Sequence, residues 1–160
     1  ELLIEKFDCR VIFELGTSVG LTTLYLSRPE MSKVFTFEGN KDLIDIACRN
    51  FKYFNRKNIE LILGNIDQTL PAKLADSHPP DLVYVDANHR YEPTLEYTRQ
   101  FIKHCPGPLI CVIGDIYWSA GMNRAWKELT ALPEVGVSID LFEIGILFMN
   151  YDVTAGNYTL

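Results

Sequence analysis

The 160-residue chain carries 21 acidic against 15 basic side chains, a net charge of −6, with 48% hydrophobic and 22% charged residues. That balance supports one hydrophobic core and argues against a broad nucleic-acid-binding face. No apolar run approaches the ~20 residues that span a bilayer, so no membrane partner is expected.

The four cysteines, Cys9, Cys48, Cys105 and Cys111, form no Cys-x-x-Cys pair, which argues against a zinc site. Read as buried thiols, with Cys48 on the apolar face of a helix, they suit a reducing cytoplasm. The chain opens on Glu1 rather than Met, which leaves room for a segment upstream.

Taken in order, Glu1–Phe7 reads as the end of a helix. The apolar run Val11–Leu15 predicts a strand buried on both faces, followed by a helix to about Ser27. Lys33–Glu38 alternates apolar and polar residues as a second strand. Asn40 is placed to cap a helix that puts Ile44, Ala47, Cys48, Phe51 and Phe54 on one face. Ile59–Leu63 predicts a third strand and Leu70 with Leu74 a short helix. Asp81–Asp86 predicts a fourth strand. Pro93 suits the first turn of a helix carrying Leu95, Thr98, Phe101 and Ile102, and Leu109–Ile113 predicts a fifth strand.

A helix near Met122–Leu132 and one or two closing strands within Val137–Asn150 complete the pattern. The tail Tyr151–Leu160 shows none, and is expected to pack on a partner or to fray; a homodimer is a separate expectation. Strands alternating with helices predict a single α/β domain over residues 1–160: a Rossmann-like, doubly wound, mainly parallel seven-stranded sheet with helices on both faces. Ligands in such sheets sit at the carboxyl ends of the strands. Polar or acidic residues end strand after strand here: Glu14, Glu38, Asn65 with Asp67, Asp86 and Asp115.

The turn after the first strand reads Glu14-Leu-Gly16-Thr-Ser18-Val-Gly20. Its glycines let a backbone approach a ligand, and the helix that follows offers unpaired N–H groups. It is not the dinucleotide fingerprint, because Ser18 and Leu21 stand where that pattern needs glycine. Glu38 ends the second strand about 20 residues on, where a carboxylate can accept hydrogen bonds from both ribose hydroxyls of an adenosyl group. An acid that caps the next helix is the alternative.

These residues resemble motif I of the class I S-adenosylmethionine-dependent methyltransferases. Asp81-Leu-Val-Tyr-Val-Asp86-Ala-Asn-His89 resembles motif IV of the small-molecule O-methyltransferases related to catechol O-methyltransferase. Ile113-Gly-Asp115-Ile-Tyr-Trp118 resembles the strand-five motif of a bacterial branch of that group. The resemblance runs from about Val11 to Met149. It implies S-adenosylmethionine as cofactor and a small-molecule methyl acceptor, most simply at oxygen. It implies that Glu14, Gly16, Thr17, Ser18 and Gly20 line the methionine end. Glu38 with Gly39 would hold the ribose, Gly64 and Asn65 would border the adenine, and Asp86 would lie beneath the methionine moiety.

His89 stands where catechol-type enzymes carry a lysine that assists deprotonation of the acceptor. Imidazole suits a base near neutrality, and a loop histidine bonded to a neighbouring carboxylate is the alternative reading. The resemblance further implies Mg2+ on Asp86 and Asp115. The third ligand position is Ile116, which offers no donor, so waters or Asn88 would have to complete the shell. Gly114 stands where relatives often carry an acid. Two other functions stay open: a binding module that keeps the cofactor and has lost the chemistry, and a methyltransferase acting on protein or nucleic acid.

Overall fold

The computed structural model describes residues 1–160. They form two compact units, Glu1–Leu82 and Val83–Leu160. The sheet has eight strands rather than seven, ordered β3-β2-β1 in the first unit and β4-β5-β7-β6-β8 in the second.

The first unit runs α1 (Leu2–Lys6), β1 (Val11–Leu15), α2 (Leu21–Leu26), β2 (Lys33–Glu38), α3 (Lys41–Tyr53), β3 (Ile59–Leu63) and α4 (Ile66–Ala75). β1, β2 and β3 pair in parallel. Val11 is opposite Lys33 and Leu15 opposite Phe37, while Glu38 is opposite Leu63. This register brings all three strands to an end at one level, so Gly16, Glu38 and Gly64 leave the sheet as neighbours. Ile12, Phe13, Leu15, Val34 and Phe37 have no solvent exposure, and the Phe13 ring lies 5.2 Å from Phe35 and 5.8 Å from Phe37. The start of β1 is pinned by Asp81, whose carboxylate accepts the Arg10 and Val11 N–H groups at 2.7 and 2.8 Å.

Asn40 caps α3 as its sequence position predicts, accepting from Asp42 N at 2.9 Å. Asn65 caps α4 in the same way at 3.0 Å. Two members of the expected α3 face depart from it. Cys48 is exposed, and Phe54 is the C-cap residue with 54% exposure. Ala47 and Phe51 already fill the packed stripe, and Cys48, the next residue after Ala47, is turned ~100° away from it on a 3.6-residue helix.

The second unit runs β4 (Leu82–Val85), α5 (Tyr91–His104), β5 (Leu109–Gly114), α6 (Ala120–Thr130), β6 (Val135–Asp140), β7 (Ile144–Met149) and β8 (Gly156–Thr159). β7 is antiparallel to both β5 and β6. The closing segment is thus a hairpin, turned by Leu141–Glu143 with Phe142 at φ 70°. Gly145 lies in β7, where a Cβ would collide with the Trp126 ring. The tail does not fray: Gly156–Thr159 adds β8 parallel to β6, with Val137 opposite Gly156. No helix is long and apolar enough to cross a membrane.

Candidate active site

In the first unit, the site residues are set by the common level at which the strands end. The loop after β1 hangs on β2 through two bonds to one carbonyl, since Gly16 N and Thr17 N both donate to Phe37 O at 3.0 and 3.1 Å. Gly16 and Gly20 take φ 99° and 82°, and Ser18 takes φ 50°. At Gly20 a Cβ would stand 2.5 Å from the Phe51 ring, so this glycine serves both the turn and the seating of α2 on α3.

Glu14 has no solvent exposure. Its carboxylate accepts the Thr23 hydroxyl of α2 and, at 2.6 Å, the Thr36 hydroxyl of β2. Thr36 in turn meets Thr17 Oγ1 at 2.5 Å. Glu14 and Thr17 therefore brace the loop from beneath, instead of presenting polar atoms on its exposed side.

Glu38 does face outward. Its carboxylate accepts Ser18 N at 2.8 Å and Asn40 N at 2.9 Å, one bond to each oxygen. The cap residue of α3 is Asn40, and Glu38 reaches the start of that helix by accepting the Asn40 N–H. A carboxylate has about four acceptor sites, and two are left toward solvent. Gly39 is exposed beside it. Gly64 N donates to Glu38 O at 3.0 Å, and Gly64 takes φ 144°. Asn65 uses its side-chain oxygen on the α4 cap.

In the second unit, β4 ends in Asp86 and β5 in Gly114-Asp115. Asp86, His89 and Asp115 gather with their ligand atoms within 4.8 Å of one another. His89 Nδ1 is 3.4 Å from Asp115 Oδ2, and His89 Nε2 is 4.0 Å from Asp86 Oδ1. Burial pushes the Asp86 carboxyl above the usual carboxylate range and the nearby Asp115 charge adds to this, while His89 and a hydrogen bond from Tyr84 oppose it.

The space for Asp86 comes from Gly114. A Cβ there would overlap the Asp86 carboxylate. Gly114 is thus a seat for Asp86, which sequence reading registers only as a missing acid. The loop that carries His89 is held in left-handed conformations, Asn88 at φ 64° and His89 at φ 38°, with Asp115 at φ 55°. Asn88 Nδ2 anchors it by donating to Tyr97 Oη at 2.6 Å.

The implied magnesium meets this donor set poorly. Magnesium takes oxygens in an octahedral shell. Here one donor of the three is an imidazole nitrogen, and the third expected position, Ile116, is hydrocarbon with no exposure.

Trp118 is 72% exposed, with its ring 6.4 Å from that of His89. Tyr117 stacks on Phe142 at 5.4 Å and donates to Asp140 at 2.7 Å, a bond that raises its phenol pKa. Phe142 is an aromatic neighbour that sequence reading misses, since only the hairpin turn places it there. Tyr91 is drawn onto α6, donating to Glu128 with Arg124 over its ring at 4.4 Å. A separate 510 Å3 concavity at the amino ends of β1–β3, lined by Phe35, Lys33, Lys73 and Glu60 among others, holds none of the expected site residues.

Parallel strands β1–β3 with a glycine turn after β1 and an acid closing β2 form a Rossmann-like arrangement. The family model described as a methyltransferase domain matches residues 13–116. That is well over half of the chain, and the chain belongs to this family.

Solved structures share the fold. Cofactor-bound Rv0187 from MTB is 21% identical, with a TM-score of 0.83 over 94% of this chain and 78% of that one. The O-methyltransferase TomG from Streptomyces achromogenes, involved in tomaymycin synthesis and solved in complex with SAM, is 20% identical, with a TM-score of 0.81 over 94% and 77%. The O-methyltransferase from Bacillus cereus, solved in complex with SAH, is 20% identical, with a TM-score of 0.78 over 94% and 78%.

Proposed function

We propose that this methyltransferase-family protein moves a methyl group from S-adenosylmethionine to an oxygen of a small-molecule acceptor. The observation that carries the reading is Glu38: a half-buried carboxylate at the end of β2, fixed by two backbone N–H groups and keeping two acceptor sites for a pair of ribose hydroxyls. Ser18 and Leu21, where a dinucleotide loop needs glycine, favour a cofactor without a pyrophosphate. The solved neighbours carrying SAM and SAH support the same choice.

In this reading the first unit binds and orients. Ser18 and Gly20 shape the loop, Glu14 and Thr17 stiffen it from below, and Gly39, Gly64 and Asn65 border the adenosyl group. When bound, S-adenosylmethionine would supply a methyl on a sulfonium, which an acceptor oxygen can displace with the C–S electron pair leaving on a neutral thioether. The second unit handles the proton. His89 accepts it from the acceptor hydroxyl and passes it to solvent, to which its ring is open. Asp86 contributes negative charge suited to a cationic cofactor, and Trp118 gives an exposed ring on which a planar acceptor can stack. No cysteine is in a disulfide, and three of the four are buried, with burial raising Cys9 to about 11 and Cys111 to about 12. This supports a reducing, cytoplasmic setting.

The test is incubation with S-adenosylmethionine and a panel of small hydroxylated compounds, with products read by mass. One methylated acceptor and an equal amount of S-adenosylhomocysteine is the expected result. Methyl transfer to added protein or RNA alone would contradict the acceptor class.

A further inference from the structure

The disagreement between Asp86, His89 and Asp115 and an oxygen-only cation site has a constructive reading. His89 presents one ring nitrogen to each carboxylate: Nδ1 stands 3.4 Å from Asp115, and Nε2 4.0 Å from Asp86. The shorter approach is close to hydrogen-bond range and the longer one is well outside it. A proton on Nδ1 would be held toward Asp115, and the Nε2 lone pair would remain open. That is the tautomer a general base needs.

Three further observations fit the arrangement. The His89 backbone sits at φ 38°, and the loop is anchored by Asn88 on Tyr97, so the backbone from which the ring extends is held in place. Asp115 sits at φ 55° with its carbonyl accepting Trp118 N at 3.0 Å, which holds the backbone that carries its carboxylate. Gly114, by lacking a Cβ, lets the Asp86 carboxylate settle against β5. The residue that would have completed a cation shell is the buried Ile116.

We propose that Asp115 is a positioning residue for His89. The two form a carboxylate–imidazole pair that orients the acceptor's base and takes over the place of a divalent cation. The inference rests on the methyl-transfer reading for the source of the proton. During transfer the acceptor O–H bond breaks, its proton goes to Nε2, and the charge that forms on the imidazole is balanced by Asp115. The proton then leaves to water.

The test does not need the acceptor, so its failure is distinct from failure of the methyl-transfer reading. Long-range proton–nitrogen NMR of the full chain reads the tautomer of each of the three histidines, with H89Q identifying the His89 signals. The expected result is a predominantly Nδ1-protonated His89 whose preference is lost in Asp115→Asn. Asn accepts the left-handed backbone at this position, so the fold should hold, and unchanged His78 and His104 signals would verify that it does. Titration of the wild type with Mn2+ or Mg2+ should leave the His89 signals unbroadened and unmoved. An identical tautomer in wild type and D115N would overturn the pairing. Selective broadening of His89 by Mn2+, abolished in D115N, would overturn it in favour of a metal site.

Discussion

At the carboxyl ends of β1 and β2, the groups that matter are held at short range. Glu14 joins Thr23 and Thr36, Thr36 meets Thr17, and Glu38 takes two backbone N–H groups below 3 Å. At the ends of β4 and β5 the spacing is looser: His89 stands 3.4 and 4.0 Å from its carboxylates, and Asp115 keeps 43% of its side chain exposed. In the function proposed above, the first region serves the cofactor and the second the acceptor. A cofactor shared by many enzymes can be met by a pre-built cradle, whereas an acceptor site has to stay open and adaptable. Substitutions in the first region should therefore be felt in folding and cofactor binding, and those in the second in turnover.

The largest effect is expected from Gly20→Ala. Its Cβ would enter the Phe51 ring at 2.5 and 2.8 Å, and the φ of 82° disfavours any side chain. A loss of about 3 kcal/mol, read by chemical unfolding, follows from strain and overpacking together. Glu14→Ala comes next. It leaves the buried Thr23 and Thr36 hydroxyls without their shared acceptor, at a cost of about 2–3 kcal/mol in the same experiment. If either variant unfolds like wild type, the cradle is not the braced structure described.

Gly114→Ala sharpens the contrast. The new methyl meets the outer atoms of the short Asp86 side chain and not a packed ring, so stability should fall by about 1 kcal/mol. Turnover should drop more, because Asp86 is displaced, and S-adenosylhomocysteine affinity measured alongside should change little. A fold as damaged as that of Gly20→Ala would erase the distinction between the two regions. Trp118→Ala should be the mildest, within about 0.5 kcal/mol of wild-type stability because the ring is 72% exposed. Its effect belongs in the KM for an aromatic acceptor, and a large loss of melting temperature would mean that the ring is structural.

The parts of the fold written in apolar runs were readable. Val11–Leu15 and Leu109–Ile113 are unbroken hydrophobic strands, and the acids that end β2, β4 and β5 follow from where those runs stop. β8 was not readable, because Gly-Asn-Tyr-Thr carries no hydrophobic alternation and is held by backbone pairing to β6. Cys48 was misplaced by one position on a helix face. In the site, Glu38 was legible from its place after the glycine turn. Glu14 was legible as important, but its downward direction needed Thr23 and Thr36, partners from two other elements. Gly114 is the clearest limit: one sequence shows a missing acid, and only the position of Asp86 shows why the Cβ has to be absent.

In the proposed function, the loop after β1 and Glu38 together make the adenosyl site. Calorimetric titration of wild type and Glu38→Ala with S-adenosylhomocysteine, with NADH as control, tests it most directly. Wild type should bind S-adenosylhomocysteine and not NADH, and the folded variant should lose about 1–3 kcal/mol of that binding. Equal affinity of the two proteins for S-adenosylhomocysteine, or preference for NADH, would contradict it.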